Sequence, residues 1–444
     1  MKKILVLGAG KSASSLIKYL LDNVSGNQWQ ITVADVSESM ARKKTGDHAH
    51  AQAVALDVTS EEERTKAIHK HDIVLSLLPP QLHELAAKTA LEVGRNLVTA
   101  SYTSTNMQQL DSEVRRKGLI FLNECGLDPG IDHMSAMKAI DHIKASGGEL
   151  IAFRSYTGGL VAPESADNPW AYKFTWNPRN VVMAGQGTAK FIEDGKYRYI
   201  PYSRLFTDTV PIEVKGHGRF EGYANRDSLL YRKAYGIENI PTLIRGTLRV
   251  DGFCKAWDAL IKLGWTDDSC IIHNDNLTYT DLLEAYLPKG NGDIKARVMQ
   301  FLNPEEDPGL TERLEYLGLF DHIPLKGDHK TAAVFLQELL EQKWALGEKD
   351  IDMIVMQHQF TYMQEGNKKH LTSSLVVKGD DATYTAMAKT VGIPMGIAAK
   401  LILQDKIQSR GVMIPVSQEI YQPVLEELES LGIGFTEEEV PAEA

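Results

Sequence analysis

The chain has 444 residues, and 43% of them are hydrophobic, a normal share for packed globular protein. Because one hydrophobic core rarely serves more than about 250–300 residues, this length predicts two or three domains. The 48 basic and 59 acidic residues give a formal net charge of -11, which argues against nucleic acid or an anionic membrane surface as the main partner.

The cysteines and the N-terminal residues indicate the cellular compartment of the protein. Cys125, Cys254 and Cys270 lack CxxC spacing, and their odd number does not suit a complete disulfide framework. The N-terminal run lacks the basic-then-apolar pattern of a signal segment, and no uninterrupted apolar stretch approaches the ~20 residues that span a bilayer. We therefore expect a cytoplasmic protein without a membrane partner. The histidines show no HExxH spacing, and no metal site is expected.

Short apolar runs alternate with helix-like segments through the N-terminal third. The runs are Ile4 to Leu7, Ile31 to Ala34, Ala53 to Leu56, Ile73 to Leu78, Leu97 to Ala100 and Leu119 to Leu122. Strands that are buried on both faces of a parallel sheet read as continuous apolar runs, and βαβ connections place helices between them. The pattern predicts an α/β fold with a Rossmann-type doubly wound parallel sheet.

The turn after the first strand reads GAGKSA and fits the pattern G-x-G-x-x-G/A. In this pattern Gly8 permits a tight turn, Gly10 lets the backbone approach a pyrophosphate, and Ala13 permits close packing of helix on strand. Lys11 and Ser12 complete the loop, and the free N–H groups of the following helix suit a phosphate. The loop is therefore predicted to bind a dinucleotide. The alternative is that the glycines serve only a tight turn.

Asp35, at the end of the second strand, bears on which dinucleotide binds. A carboxylate there accepts hydrogen bonds from a ribose 2′-OH and repels a 2′-phosphate, so NAD is predicted over NADP. Arg42, Lys43 and Lys44 follow about two helical turns later and keep NADP possible. A cationic helix face of this kind is, however, more often solvated surface.

Further candidate residues follow the later strands of the predicted sheet. Ligands of such a sheet bind outside the carboxyl ends of its strands. Asp57 follows the third strand, Leu78 and Pro79 follow the fourth, and Ser101 follows the fifth, so all four are predicted to contact the cofactor. The stretch GLDPGIDH follows the sixth strand and is expected to face the same crevice.

Long and unusual motifs continue along the chain in the order SLLPP, VTASYTS, NECGLDPGIDH, SYTGGLVAPESADNPWAYKFTW, YANRDS, TLIRGTLR and MAKTVGIPMGIAAKLIL. In this series the chain closely resembles the saccharopine dehydrogenase family of the glutamate-forming type, also called saccharopine reductases. The resemblance implies interconversion of saccharopine, NAD(P) and water with L-glutamate, 2-aminoadipate 6-semialdehyde and NAD(P)H in lysine metabolism. It also implies a homodimer.

The implied reaction needs a base, because a secondary ammonium must lose a proton before hydride can leave the neighbouring carbon and an imine can form. The resemblance and the position after the sixth strand make Asp128 the first candidate. Tyr102 is the second, as a hydrogen-bond donor to the substrate. The alternatives are that Asp128 only caps the following helix and that Tyr102 is a half-buried packing residue of its loop. His133, in the first turn of that helix, is interpreted as a packing residue.

Saccharopine carries three carboxylates, which guanidinium groups hold in a bidentate manner. The resemblance assigns this role to Arg226 and Arg245, with structural salt bridges as the alternative. It also places Asn168, Trp170 and Lys173 along the same cleft, with a core position as the alternative for an aromatic residue such as Trp170. Two other interpretations of the whole chain stay open. A carboxynorspermidine-type dehydrogenase would need fewer cationic ligands, and a sensor would bind the nicotinamide cofactor without turnover.

The resemblance also implies how the chain divides into domains. Residues 1–124 with 388–444 are expected to form the dinucleotide-binding domain with a returning C-terminal segment. Residues 125–250 with 348–387 are expected to form a substrate-binding and dimerisation α/β domain with a mixed sheet, and residues 251–347 an all-helical insertion. The GIPMG stretch at 392–396 interrupts a helical pattern, which predicts a break in that helix.

Overall fold

A computed structural model describes residues 1–184, 186–303 and 309–441. The chain divides into two compact units. The first contains residues 1–150, 363–367 and 375–437, and the second contains residues 151–362, 368–374 and 438–444 as far as they are described. The division into three domains stays a prediction, and the last residues of its C-terminal segment, 442–444, lie outside the described residues.

The first unit begins with alternating strands and helices. In chain order they are β1 (Lys2–Leu7), α1 (Ala13–Asp22), α2 (Val24–Asn27), β2 (Trp29–Asp35), α3 (Glu38–Thr45), β3 (Ala51–Ala55), α4 (Glu61–His69), β4 (Ile73–Ser76), α5 (Pro80–Val93), β5 (Asn96–Thr99), α6 (Thr105–Gln109), α7 (Asp111–Arg116), β6 (Ile120–Leu122) and α8 (Ile131–Ala145). Each strand overlaps one of the apolar runs from which it was predicted.

The middle of the chain carries longer strands and a run of helices. These elements are β7 (Glu149–Val161), α9 (Pro178–Val182), β8 (Thr188–Glu193), β9 (Lys196–Pro201), α10 (Tyr202–Leu205), β10 (Thr209–Val214), β11 (Gly218–Ala224), α11 (Tyr231–Ala234), β12 (Thr242–Val250), α12 (Phe253–Lys262), β13 (Ile271–Ile272), α13 (Tyr279–Tyr286), α14 (Ile294–Leu302), α15 (Gly309–Leu317), β14 (Lys330–Thr331), α16 (Ala332–Lys343), β15 (Asp352–Gln364) and β16 (Asn367–Lys378). The chain then continues with α17 (Ala386–Leu403), β17 (Gly411–Met413), α18 (Gln418–Ser430) and β18 (Thr436–Pro441).

The sheet of the first unit has the strand order β3-β2-β1-β4-β5-β6-β17, and its described pairs run parallel. Chain order reverses between β1 and β4, which makes the sheet doubly wound and opens a crevice at the carboxyl ends of these strands. The central strand is fully buried from Ile4 to Val6. The predicted Rossmann-type sheet is confirmed.

The second sheet has the order β10-β11-β12-β7-β15-β16-β18, with β8 paired to β12 and to β9. β12 runs parallel to β7 but antiparallel to β11, so the sheet is mixed, as predicted. The helices α12 to α16 lie in the segment that was expected to be helical. A short antiparallel pair, β13 with β14, also lies there, and the sequence did not indicate it.

Helix α17 packs along α1 in the first unit, and the predicted break in it is wrong. Its length and mean hydropathy of 1.4 would suit a membrane span, but 67% of it is buried inside the protein. A Cβ on Gly392 would lie 2.7 Å from the backbone nitrogen of Leu16. The glycines of this helix therefore serve close packing against α1 and do not end the helix.

Candidate functional site

The glycine-rich loop after β1 has the geometry that a bound pyrophosphate needs. Gly8 has a φ of +100°, and a Cβ there would lie 2.9 Å from the carbonyl oxygen of Leu77. A Cβ on Gly10 would meet nothing within 4 Å, so the backbone at this position faces open space. Ala13 is buried at the start of α1, whereas Lys11 is exposed and Ser12 is half-buried. These residues fit a dinucleotide phosphate.

Asp35 shapes the same loop. Its Oδ2 accepts a hydrogen bond from the backbone N–H of Ala9 at 2.8 Å, and its Oδ1 accepts one from Ser37 at 3.0 Å. The carboxylate therefore has a structural role in addition to any contact with a ribose. The nearby cations have partners too, because Arg42 pairs with Glu38, and Lys44 donates to a hydroxyl on α1.

The remaining predicted cofactor residues lie at the ends of β3, β4 and β5. Asp57 is exposed, and hydrogen bonds from the side chain and backbone of Thr59 lower the pKa of its carboxyl. Leu78 is half-buried, and the exposed Pro79 directly precedes α5. Ser101 is half-buried in the loop after β5. Their contact with a cofactor stays a prediction.

The two predicted catalytic residues meet in the structure. Tyr102, in the loop after β5, donates a hydrogen bond from its hydroxyl to Oδ1 of Asp128, in the loop after β6, at 3.5 Å. Tyr102 is 37% exposed and Asp128 is half-buried. A carboxylate oriented by a phenol, half open to solvent at the edge of a parallel sheet, can accept a proton from a ligand there. The roles of both residues stay predictions.

Sequence reasoning missed the partners of His133. Its side chain is fully buried, as expected for a packing residue, but it contacts the buried carboxylates of Glu124 and Asp132. Burial opposes ionisation of Glu124. The hydrogen bond and charge of His133, together with hydrogen bonds from Thr103, nevertheless lower the pKa of the Glu124 carboxyl. No spacing rule connects these residues in the sequence.

His83, on α5, is a second polar residue that the sequence did not indicate. Its Nδ1 lies 2.8 Å from the hydroxyl of Ser76 and 3.3 Å from that of Thr99, and its Nε2 lies 2.7 Å from the hydroxyl of Ser101. Hydroxyl groups satisfy a neutral imidazole without stabilising the charged form. Burial lowers the pKa of His83 to about 4.

This lowered pKa predicts that acid destabilises the protein through His83. An unfolded histidine binds a proton below about pH 6.5, whereas folded His83 binds it only below about pH 4. Between these values the unfolded state holds more protons, so stability falls by about 1.4 kcal/mol per pH unit as the pH decreases. Denaturant unfolding at several pH values should show a shallower pH dependence for His83→Gln than for the wild type. Equal slopes would contradict the argument.

The chain segments that carry the two predicted arginines lie next to each other in the second unit. The backbone N–H of Asn225, next to Arg226, donates to the carbonyl oxygen of Arg245 at 2.8 Å. Arg226 is exposed and has a φ of +51°, a conformation uncommon for a residue with a Cβ. The guanidinium of Arg245 stacks over the ring of Tyr231 at 4.2 Å. Guanidinium groups suit a ligand with carboxylates, and the role of both arginines as substrate ligands stays a prediction.

The other predicted substrate residues make structural contacts in the second unit. The side chain of Asn168 accepts from the backbone of Trp170 and donates to that of Tyr172, both at 3.0 Å. Trp170 is 1% exposed inside an aromatic cluster with Phe253, Trp257 and Trp344. The Lys173 amine pairs with Asp167 and Asp350 at 2.8 Å. A substrate contact stays a prediction for all three, and burial leaves Trp170 little surface for one.

The parallel sheet, the glycine-rich loop and the polar groups along its carboxyl edge define a dinucleotide-binding protein of the Rossmann class. Two family models match the chain: Saccharopine dehydrogenase NADP binding domain over residues 4–122, and Saccharopine dehydrogenase C-terminal domain over residues 126–433. The chain belongs to the saccharopine dehydrogenase family.

Individual relatives agree with this assignment. The chain is 34% identical to Saccharopine dehydrogenase [NADP(+), L-glutamate-forming] of Saccharomyces cerevisiae, with 99% of each chain covered. The solved structure of apo saccharopine dehydrogenase (L-Glu forming) from that yeast matches with a TM-score of 0.91 at 33% identity, over 99% of this chain and 100% of that one. The mitochondrial alpha-aminoadipic semialdehyde synthase of Bos taurus is 37% identical over 98% of this chain, but the chain spans only 47% of its length.

The comparisons also bear on the cofactor. The predicted nicotinamide dinucleotide is confirmed, because the first family model is that of an NADP binding domain. This model and the name of the yeast relative support NADP as the specific cofactor, whereas the sequence predicts NAD first and NADP second. The preference for NAD rested on the carboxylate of Asp35, and the structure gives that carboxylate two backbone partners.

Proposed function

We propose that this protein oxidises saccharopine with NADP and water to L-glutamate, 2-aminoadipate 6-semialdehyde and NADPH, as part of lysine metabolism. The observation that carries this proposal is the hydrogen bond between Tyr102 and Asp128 at the carboxyl edge of the dinucleotide-binding sheet. Fungal relatives that match over 99% or more of their length are NADP-dependent, L-glutamate-forming saccharopine dehydrogenases by name, which supports the substrate and the cofactor.

The chain's own residues account for the proton transfers of this reaction. Asp128 takes the proton of the secondary ammonium, which frees the nitrogen lone pair to form a C=N bond as hydride leaves the neighbouring carbon. Tyr102 orients the Asp128 carboxylate by its hydrogen bond. Water then adds to the imine carbon and leaves a hydroxyl group on it, and Asp128 transfers a proton to the nitrogen. The C–N bond breaks as this hydroxyl loses its proton and forms the C=O bond of the semialdehyde, so that glutamate leaves with the amino group and one proton is released overall.

The cofactor would be held by the loop that contains Gly8 and Gly10 and by the N–H groups at the start of α1. When bound, NADP supplies the acceptor for the hydride. Arg226 and Arg245 would hold carboxylates of the substrate through charge-assisted hydrogen bonds. The stacking of Arg245 on Tyr231 restricts its guanidinium, so that less conformational entropy is lost on binding.

The test is to mix the purified protein with saccharopine and either NADP or NAD and to follow the absorbance of the reduced nicotinamide. We expect turnover with NADP at a higher kcat/KM than with NAD. A higher kcat/KM with NAD than with NADP would support saccharopine as the substrate and would indicate that Asp35 selects NAD. An absence of turnover with both would overturn the proposal and favour either a carboxynorspermidine-type substrate or a sensor.

Other expectations from the sequence concern the assembly and the location. The three cysteines are free, and Cys125 and Cys254 are buried. This agrees with a reducing compartment, as does the absence of CxxC spacing. The cytoplasmic location, the homodimer and the lack of a nucleic-acid or membrane partner stay predictions.

A further inference from the structure

Three ionisable side chains are buried in and beside the loops that carry Tyr102 and Asp128. His133 is 0% exposed, Glu124 is 4% exposed and Asp132 is 2% exposed. Nε2 of His133 lies 2.9 Å from Oε2 of Glu124, and Nδ1 lies 3.5 Å from Oδ2 of Asp132. We call these three residues the buried acid–histidine cluster. Burying such groups is costly unless they are paired and hydrogen-bonded, as they are here.

Glu124 fixes the backbone on both sides of Tyr102. Its Oε1 accepts a hydrogen bond from the backbone N–H of Thr103 at 3.0 Å. Its own N–H donates to the carbonyl oxygen of Ser101 at 3.1 Å. Glu124 also has a φ of +54°, a conformation that is uncommon for a residue with a Cβ and that surrounding contacts must maintain. Glu124, in the loop after β6, therefore links this loop to the loop after β5 by hydrogen bonds.

Asp132 fixes the backbone on both sides of Asp128 in the same way. Its Oδ1 accepts a hydrogen bond from the N–H of Gly130 at 2.6 Å. Its own N–H donates to the carbonyl oxygen of Leu127 at 3.0 Å. Because His133 contacts both carboxylates, the cluster connects the backbone around Tyr102 with the backbone around Asp128.

The geometry points to Glu124, His133 and Asp132 as positioning residues that hold the Tyr102 hydroxyl and the Asp128 carboxylate in their reacting arrangement. This inference rests on the proposed function for its kinetic consequences. Glu124 acts through the backbone of residues 101–103, and Asp132 acts through that of residues 127–130. A misplacement of about 1 Å at a reacting group can lower the rate by about 10²-fold, so small shifts of either loop are expected to matter.

The first test is Glu124→Gln, which keeps the shape of the side chain and removes its charge. We expect kcat to fall by about 10²-fold, while the Kd for NADP stays within about threefold of the wild type. His71→Asn is the matched control, because His71 is another buried histidine of the first unit and bonds Thr32 and Ala67 away from these loops. A kcat of Glu124→Gln within about threefold of the wild type would overturn the inference.

A double-mutant cycle separates positioning from a general loss of stability. If Glu124 acts by placing Tyr102 and Asp128, adding Glu124→Gln to Asp128→Asn should lower kcat by less than about threefold further. If Glu124 only stabilises the fold, adding Glu124→Gln to Asp128→Asn should lower kcat by the same factor of about 10² as in the wild type. The repeated loss would contradict the inference.

A measurement that needs no substrate tests the positioning role independently of the proposed function. Amide hydrogen exchange at residues 101–104 and 126–130 should accelerate in Glu124→Gln but not in His71→Asn. If Glu124→Gln does not fold, His133→Ala, which removes the contacts with both carboxylates, replaces it in the kinetic and the exchange measurements. Unchanged exchange in both loops would overturn the positioning role. Inactivity of the wild type with saccharopine would instead overturn the proposed function, and hydrogen exchange would still decide the role of the cluster.

Discussion

Asp128→Asn is expected to lower kcat for saccharopine oxidation by about 10²- to 10⁴-fold, the usual contribution of a general base. The amide keeps the size of the side chain and can still accept the hydrogen bond from Tyr102, but it cannot take the proton of the secondary ammonium. Because the change affects proton transfer more than binding, KM should change much less than kcat. Steady-state rates at saturating NADP, followed by nicotinamide absorbance, measure both quantities.

The matched control for this variant is Asp141→Asn. Asp141 lies in α8 of the same unit and accepts a hydrogen bond from Tyr421, away from the predicted catalytic pair. Its amide variant should retain kcat within about threefold of the wild type. If Asp128→Asn behaves like this control, Asp128 is not the base, and its place in the turn after β6 is structural.

The sequence predicted correctly the structural features that depend on the residues of a single chain segment. Apolar runs of strand length predicted the parallel sheet, because strands buried on both faces must be continuously apolar. The glycine-rich loop was identifiable because its spacing is local. Asp128 and Tyr102 were identifiable as residues that follow strands, but their hydrogen bond depends on how the loops after β5 and β6 approach each other.

Contacts between distant segments could not be predicted in this way. The hydroxyl partners of His83 lie 7, 16 and 18 residues from it, and no motif relates them. The sequence left Trp170 open between a cleft and a core position, because the aromatic residues that surround it, 253, 257 and 344, are distant along the chain. The break predicted in α17 was wrong for a similar reason, because local propensity could not show that Gly392 approaches the backbone of α1.

Gly8→Ala should both destabilise the first unit and abolish tight binding of NADP. At a φ of +100° a Cβ is strained, and it would lie 2.9 Å from the carbonyl oxygen of Leu77, which belongs to the backbone and cannot move away easily. We expect a loss of about 2–4 kcal/mol in unfolding free energy. The displaced loop should also raise the Kd for NADP by at least about 10²-fold, because its N–H groups would no longer meet the phosphates. Denaturant unfolding and calorimetric titration with NADP measure the two effects.

Gly10→Ala separates these two effects. A Cβ there would meet nothing within 4 Å of protein, so the unfolding free energy should change by less than about 0.5 kcal/mol. The same methyl group would occupy the open space where the pyrophosphate approaches, and the Kd should rise by about 10- to 100-fold. Gly26→Ala, in α2, also meets no protein atom within 4 Å; it should leave the Kd unchanged and should not lower the unfolding free energy, because alanine is favoured over glycine in a helix. Normal NADP binding by Gly10→Ala would mean that the loop serves only as a turn, and the cofactor would then have to be held elsewhere on the sheet edge.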